Sequence, residues 1–195
     1  GIRQYVQIAE SGTFGVRADD GQLLWQDYSI SGATAKCSSA QVAGNLVFSA
    51  AGYSTGAALV KLVPASGSSV TAELVYETRD MKSHHSDMVI VDGYIYGSND
   101  PGILTCLELA SGDVGWMHRS VGKGAVTYAD GCIYLRAEKG TVALVEATPE
   151  EYRERGQFEQ PHRSNQQAWS HPVVAAGRLF LRDQDVLLCY DVRAR

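Results

Sequence analysis

Histidines, lysines and one tryptophan recur at matching distances from four turn glycines along the 195-residue chain. Counting back eight residues from each glycine gives four of these positions, and two further histidines lie close to them. The set comprises Lys36, His84, His85, Lys123, Trp169 and His171. Lysine is a good point-charge partner for carboxylates, and an indole can stack on a conjugated ring. These residues predict a binding site for a small anionic ligand; solvated residues at a channel rim are the alternative.

No recognisable catalytic or metal motif accompanies this set. His84 and His85 are neighbours, and neighbours in a strand point to opposite faces, so they do not easily bind one ion. A general base would be a carboxylate, and Asp87, Asp183 and Asp185 are candidates that the pattern does not separate. The catalytic residues therefore stay unassigned, and no metal site is predicted.

The four cysteines have no CxxC spacing, so they do not indicate a zinc site. An even count permits two disulfides in an oxidising compartment. The simpler interpretation is four buried thiols that act as small hydrophobic side chains. The cysteines are Cys37, Cys106, Cys132 and Cys189.

Composition excludes several classes of protein. Hydrophobic residues are 45% and charged residues 20% of the chain, which are ordinary globular values. The formal net charge is −5 and no basic block occurs, so a nucleic-acid partner is not expected. No apolar stretch is long enough for a transmembrane helix.

An internal repeat predicts the elements that must position these residues. Gly44, Gly93, Gly131 and Gly177 each separate two apolar runs, at spacings of 49, 38 and 46 residues. Each pair of runs indicates a hairpin, and a third and a fourth strand follow in most units. Four antiparallel strands repeated at this period are typical of β-propeller blades. A β-sandwich also has many short strands, but it does not repeat the same turn and strand order four times.

We therefore predict an all-β chain, a single partial β-propeller over residues 1–195 with three full and two incomplete blades. The blade pieces are roughly 1–28, 36–79, 84–119, 123–159 and 168–195. A partial ring exposes two blade faces, which the remaining blades of a longer chain or self-association would cover.

Two segments, DGQLLW at residues 20–25 and SGDVGW at residues 111–116, place a glycine four residues before a tryptophan. They resemble the tryptophan-docking motif of the pyrroloquinoline-quinone-type repeat, which builds quinoprotein alcohol dehydrogenase-like propellers. The likeness extends over the chain and resembles the family's C-terminal blades. It implies that Gly21 with Trp25 and Gly112 with Trp116 dock one blade on the next. Of the other three units, two carry Tyr76 and Phe158 instead, and the last has no fourth strand.

The resemblance implies two functions of different classes. One is a ligand-binding or protein-interaction scaffold in the periplasm or outside the cell, like outer-membrane assembly lipoproteins built from this repeat. The other is a quinone-dependent oxidoreductase acting on alcohols or sugars, with pyrroloquinoline quinone and calcium as cofactors. The adjacent cysteines and the calcium ligands typical of such enzymes cannot be aligned here, so the scaffold is favoured and the enzyme is the alternative.

Overall fold

The computed structural model describes residues 1–33, 36–65, 69–164 and 166–193, and these residues form β-strands and no helix. Sheet 1 contains β1 (Gln4–Ala9), β2 (Gly12–Arg17) and β3 (Leu23–Asp27). Sheet 2 contains β4 (Gln41–Ala43), β5 (Leu46–Ala51), β6 (Gly56–Pro64) and β7 (Val70–Thr78). Sheet 3 contains β8 (Ser83–Val91), β9 (Tyr94–Asn99), β10 (Ile103–Glu108) and β11 (Val114–His118). Sheet 4 contains β12 (Gly124–Ala129), β13 (Cys132–Ala137), β14 (Thr141–Glu146) and β15 (Glu154–Glu159). Sheet 5 contains β16 (Val173–Ala175), β17 (Arg178–Asp183) and β18 (Val186–Asp191).

In every sheet the strands pair antiparallel in chain order, which confirms the predicted fold class of repeated meanders. Sheets 2, 3 and 4 have four strands, and sheets 1 and 5 have three. The three strands of sheet 1 correspond to the second, third and fourth strands of a four-stranded sheet. The three strands of sheet 5 correspond to the first, second and third. The ring is therefore open over the described residues, as the repeat predicts.

The apolar core lies between consecutive sheets rather than between two stacked layers. Leu104 and Trp116 of sheet 3 pack with Leu135 of sheet 4, and Phe48 of sheet 2 packs with Ile95 of sheet 3. Similar clusters join sheet 1 to sheet 2 and sheet 4 to sheet 5. Each such side chain contributes about 2 kcal/mol by leaving water. This arrangement excludes the sandwich.

A register shift between the third and fourth strands defines one equivalent position in four sheets, here called the docking position. The residue just before the shift pairs with Trp25 in sheet 1, Tyr76 in sheet 2, Trp116 in sheet 3 and Gly156 in sheet 4. Trp25 and Trp116 are buried, and the Tyr76 hydroxyl donates to Leu109 O of sheet 3 at 2.9 Å. The sequence assigned Phe158 to this position in sheet 4, which is wrong by two residues.

The cysteines are all unbonded thiols in the structure. Cys106 is buried, Cys132 is half-buried, and Cys37 and Cys189 are exposed, so the expectation of four buried thiols is correct for Cys106 and wrong for the other three. Burial raises the pKa of the Cys106 thiol to about 11. Within the described ranges, no helix of the length and apolarity needed to cross a bilayer is found.

Candidate functional site

A bulge in β8 builds the centre of the candidate site. Ser83 pairs with Asn99 and the next paired residue, Met88, lies opposite Gly97, so residues 84–87 face a single residue of β9. β12, the matching strand of sheet 4, pairs without such a shift. Bulges of this kind redirect side chains and are common beside functional sites. Here the bulge projects His84, His85 and Asp87 from the end of sheet 3.

Buried serines support the bulge from below. The Ser83 hydroxyl donates to Ser86 O at 2.5 Å, and the Ser38 hydroxyl donates to Ser83 Oγ at 2.9 Å. The Ser86 hydroxyl donates to Ser98 O at 3.2 Å, and Ser98 Oγ accepts from the backbone N–H of Gly124. These bonds satisfy polar groups of the bulge that lack the regular hydrogen bonds between paired strands. Sequence reasoning missed this network because isolated serines carry no pattern.

Four aromatic rings, here called the ring row, contact one another in sequence at the end of the sheets where β8 and β12 begin, an end here called the mouth. The ring centroids of Tyr53 and His84 are 4.7 Å apart, those of His84 and His85 5.3 Å, and those of His85 and Trp169 5.7 Å. Tyr53 and Trp169 at the two ends are 58% and 53% exposed. The row therefore links sheet 2, sheet 3 and the segment before sheet 5, and it offers aromatic surface at both ends.

Lys123 is held by two partners at one side of the row. Its ammonium lies 2.8 Å from Asp100 Oδ1 and donates to His84 Nδ1 at 2.6 Å. The backbone N–H of Tyr53 donates to the other oxygen of Asp100 at 2.9 Å. Burial alone would raise the pKa of Asp100, but the hydrogen bonds from Lys123 and Tyr53 outweigh it and the pKa lies below its ordinary value.

Glu138 organises the other side of the row. Its Oε1 accepts from His85 Nε2 at 2.6 Å and from Trp169 Nε1 at 3.0 Å. Burial lowers the pKa of His85 below 6.5, and the bond to Glu138 offsets only part of this effect. The neutral imidazole therefore donates through Nε2, and its Nδ1 is buried without a partner among the described residues.

Asp87 joins three sheets at the centre of the mouth. It accepts from the backbone N–H of Ser39 at 2.8 Å and lies 3.2 Å from His171 Nδ1. The other nitrogen of His171 donates to His85 O at 3.0 Å. The bond to Asp87 outweighs burial and raises the pKa of His171, so the doubly donating imidazolium is favoured. Burial would raise the pKa of Asp87, but the bonds from His171 and Ser39 lower it.

Five of the six residues proposed from the sequence lie in this cluster, and Lys36 lies apart. The Lys36 ammonium donates to Gly32 O in its own segment. Counting back eight residues from each turn glycine does not reach equivalent positions, because the glycines differ in their place in the turn. Gly44 is the first residue of its two-residue turn, whereas Gly93 is the second residue of its turn. The bulge also adds residues to β8. When the β8–β9 and β12–β13 pairings are superimposed, Lys123 is therefore equivalent to Lys82 and not to His85.

A buried polar cluster fixes the backbone on both sides of Trp169. The guanidinium of Arg136, 1% exposed, donates to Ala168 O and Ser170 O at 3.4 Å and to Gln160 Oε1 at 2.5 Å. Gln160 in turn donates to Asp183 at 3.1 Å. Sequence reasoning overlooked Arg136 because it lies within an apolar strand.

Asp183 and Asp185, two of the carboxylates considered as bases, lie outside the ring row. Asp183 is fully buried and accepts from Arg163 at 2.7 Å and from the Ser164 hydroxyl at 2.5 Å. These bonds outweigh the effect of burial and lower its pKa. Asp183 therefore anchors the segment before sheet 5, and Asp185 is exposed on the turn that follows β17.

The charges of the site do not suit a quinone with several carboxylates. Three carboxylates, Asp87, Asp100 and Glu138, face the cations of Lys123 and His171, and both cations are already paired. An added polyanion would compete with these carboxylates and be repelled by them. Among the described residues, no group of three or more His, Cys, Asp or Glu side chains is arranged to hold a metal ion. The paired cations of this cluster therefore do not fit a polycarboxylate quinone.

Comparisons with known proteins agree with the repeat and the fold. The sequence model of the family described as outer membrane protein assembly factor BamB matches residues 1–118. Comparison with curated proteins gives no match.

Solved structures with the same fold include BamB from Moraxella catarrhalis, with 11% identity and a TM-score of 0.66 over 96% of this chain and 57% of that chain. The computationally designed Ika8 protein has 12% identity and a TM-score of 0.69 over 96% of this chain and 55% of that chain. The designed Ika4 protein has 13% identity and a TM-score of 0.60 over 89% of this chain and 99% of that chain.

This chain thus spans little more than half the length of BamB and of Ika8, and at these identities the likeness is one of fold. The family match covers more than half of the residues and agrees with the open array of four-stranded sheets. The resemblance to pyrroloquinoline-quinone-type propellers is confirmed, and the chain belongs to the family of the outer membrane protein assembly factor BamB.

Proposed function

We propose that this chain is a protein-interaction scaffold of the bacterial periplasm or cell exterior that binds a polypeptide segment across the ring row. The observation that carries the proposal is the row itself, with Tyr53 and Trp169 exposed at its ends. Tyrosine and tryptophan are the side chains that most often dominate protein interfaces. Both are held in place here, Tyr53 by its backbone bond to Asp100 and Trp169 by its bond to Glu138.

The charge pairing supports a protein partner over a free anion. Side chains that are already paired and hydrogen-bonded form a pre-organised surface, so less entropy is lost on binding. The family description, an outer membrane protein assembly factor, supports a partner from outer-membrane protein assembly and therefore a place outside the cytoplasm. The partner is then an outer-membrane protein precursor or a component that handles it.

Binding to an unfolded outer-membrane β-barrel protein tests this proposal. The precursor is diluted from urea, and its affinity for the complete protein is measured by fluorescence anisotropy. Tyr53→Ala and Trp169→Ala are each expected to weaken binding by about ten-fold, as removal of an interface anchor does. Tyr128→Ala is the matched control, since Tyr128 is 42% exposed near the opposite end of sheet 4, a sheet with a neighbour on each side, and it should bind as the wild type does.

Two results would contradict the proposal. Equal affinity of the wild type and both ring-row variants would exclude the row as the binding surface. Recovery of the native protein in the cytoplasmic fraction of cells would exclude the proposed compartment.

A further inference from the structure

Two histidines join the segment before sheet 5 to sheet 3, and their contacts require opposite protonation states. Residues 166–172 of that segment, here called the strap, carry Trp169 to the ring row. His171 of the strap bonds to the backbone of the β8 bulge, and His85 of the bulge lies against the Trp169 ring. The contact between the strap and sheet 3 therefore depends on both imidazoles.

His171 makes its contacts only as an imidazolium. Its Nδ1 lies 3.2 Å from Asp87 Oδ2, and its Nε2 lies 3.0 Å from His85 O. Both neighbours are acceptors, and a neutral imidazole has a single N–H, so it cannot donate to both. Loss of one proton from His171 therefore breaks one of the two bonds that tie the strap to sheet 3. The bond to Asp87 raises the pKa of His171, which agrees with this geometry.

His85 makes its contacts only as a neutral imidazole. Its Nε2 donates to Glu138 Oε1 at 2.6 Å, whereas its Nδ1 is buried and has no partner among the described residues. A proton added to Nδ1 would create a buried charged donor without an acceptor, which is costly. Protonation therefore favours a ring that has turned towards water, away from Glu138 and Trp169. Burial lowers the pKa of His85 accordingly.

Charged groups from several elements face His85. Lys123, before β12, and His84, its neighbour in the bulge, both oppose a positive charge on the His85 ring. Glu138, in the turn after β13, favours such a charge, but burial outweighs its effect. The charged ring of His171 lies on His85 O and adds to the opposition. The surroundings therefore keep His85 neutral while His171 is charged.

The surroundings of His171 favour the opposite outcome. The charged side chain that bonds to its ring is the Asp87 carboxylate of the bulge. On the other side of the strap, Arg136 donates to Ala168 O and Ser170 O, and a guanidinium does not titrate in this range. Arg136 therefore keeps the strap backbone on sheet 4 at every pH considered, and a change in protonation acts on the side chains that meet sheet 3.

We propose that Trp169 is held in the ring row only while His171 is doubly protonated and His85 is neutral, so that the binding surface forms within a pH window and loosens on both sides of it. This inference names the regulation of that surface and rests on the function proposed for it. The pKa of His85 lies below 6.5 and that of His171 above it, so the window includes pH 6.5.

Acrylamide quenching of the complete protein between about pH 5 and pH 9 tests the proposal without a partner. Trp25 and Trp116 are buried, so the quenching constant reports mainly on Trp169. It should be lowest near pH 6.5 and rise on both sides by at most about two-fold, because Trp169 is already 53% exposed when held.

Two variants separate the two sides of the window. His85→Gln keeps a neutral donor for Glu138 and should abolish the rise in acid, whereas His171→Gln cannot lose a proton and should abolish the rise in alkali. His118→Gln is the matched control, since His118 stacks on Tyr152 before β15, and it should keep both rises. Retention of both rises in either of the first two variants would overturn the proposal.

Imidazole NMR of the wild type remains decisive if a variant does not fold. Near pH 6.5, long-range proton–nitrogen spectra should show protons on both nitrogens of His171 and on Nε2 alone of His85. A neutral His171, a charged His85 or a quenching constant independent of pH would each overturn the proposal. Precursor affinity should follow the same profile. A bell-shaped quenching profile without precursor binding at any pH would support the histidine pair and contradict the function proposed for the ring row.

Discussion

The imidazole Nδ1 of His171 lies 3.2 Å from a carboxylate oxygen of Asp87, so an ion pair joins the segment before sheet 5 directly to sheet 3. In repeat arrays each unit usually contacts only its neighbours, and stability is then a sum of neighbour terms. This pair bypasses sheet 4, and the same carboxylate accepts from Ser39 before sheet 2. Loss of Asp87 would therefore loosen three sheets together.

We expect the contribution of His171 to stability to depend on pH. Its pKa is raised in the folded state, so the stabilisation is complete below its ordinary value of 6.5 and is lost as the pH rises through the raised value. Urea unfolding of the wild type and His171→Gln at several pH values between about 5 and 9 measures this. The difference in unfolding free energy should grow towards acid; a constant difference would contradict the ion pair.

His85 should show the opposite dependence. Burial lowers its folded pKa, so the unfolded chain binds a proton more readily and stability is lost as the pH falls through 6.5. The same unfolding series with His85→Gln should show the largest advantage of the wild type near neutral pH and a smaller one in acid. A larger advantage in acid would mean that His85 is charged in the fold.

Lys123 and Asp100 should be energetically coupled. Their side chains are only 23% and 15% exposed, so removing either partner leaves the other partly buried and unpaired. Lys123→Met and Asp100→Asn should each lower the free energy of unfolding by about 1–2 kcal/mol. The double variant should lose less than the sum, which a double-mutant cycle in urea measures. Additive losses would exclude the coupling.

Gly112 should tolerate alanine less well than Gly21. Both have positive φ angles, 80° and 74°, so alanine strains the backbone at either by about 1 kcal/mol. A Cβ at Gly112 would also lie 2.7 Å from the Tyr76 ring, whereas one at Gly21 meets nothing within 4 Å. Thermal unfolding should show a further loss of about 1–3 kcal/mol for Gly112→Ala. Equal losses would contradict close docking of Tyr76 on this turn.

Arg136 should position Trp169 as well as stabilise the fold. Arg136→Met removes the bonds to Ala168 O and Ser170 O and leaves the buried Asp183 with less positive charge, at a cost of about 3 kcal/mol. Acrylamide quenching reports mainly on Trp169, since Trp25 and Trp116 are buried. Quenching should increase in Arg136→Met and not in the surface variant Arg178→Met. Unchanged quenching would limit Arg136 to a structural role.

The fold was predictable because the same structural repeat occurs several times in one chain. Apolar runs around Gly44, Gly93, Gly131 and Gly177 indicate hairpins one by one, and their regular spacing indicates their arrangement. The four-strand order then follows from turn chemistry that acts locally. The strand register was not predictable in the same way. Gly44 lies one position earlier in its turn than Gly93 does, and the pattern of apolar residues does not reveal this difference.

The sequence predicted which side chains lie close together, apart from Lys36, but not how they are paired. His84, Lys123 and Trp169 were identified because they lie at or just before the start of the first strands of their sheets. Their pairing with Asp100 and Glu138 depends on distances between segments far apart in the chain, which no sequence spacing encodes. The ligand class inferred from the cations alone therefore changes once their carboxylate partners are known.

The bulge at residues 84–87 gives this chain a place where the proposed binding surface can be altered without rebuilding the scaffold. Its residues lie outside the regular ladder, so lengthening or shortening the segment leaves the pairing of Ser83 and Met88 available. Such a change would nevertheless displace His84, His85 and Asp87 together. Relatives that differ in length at this point should keep the same architecture and select different partners.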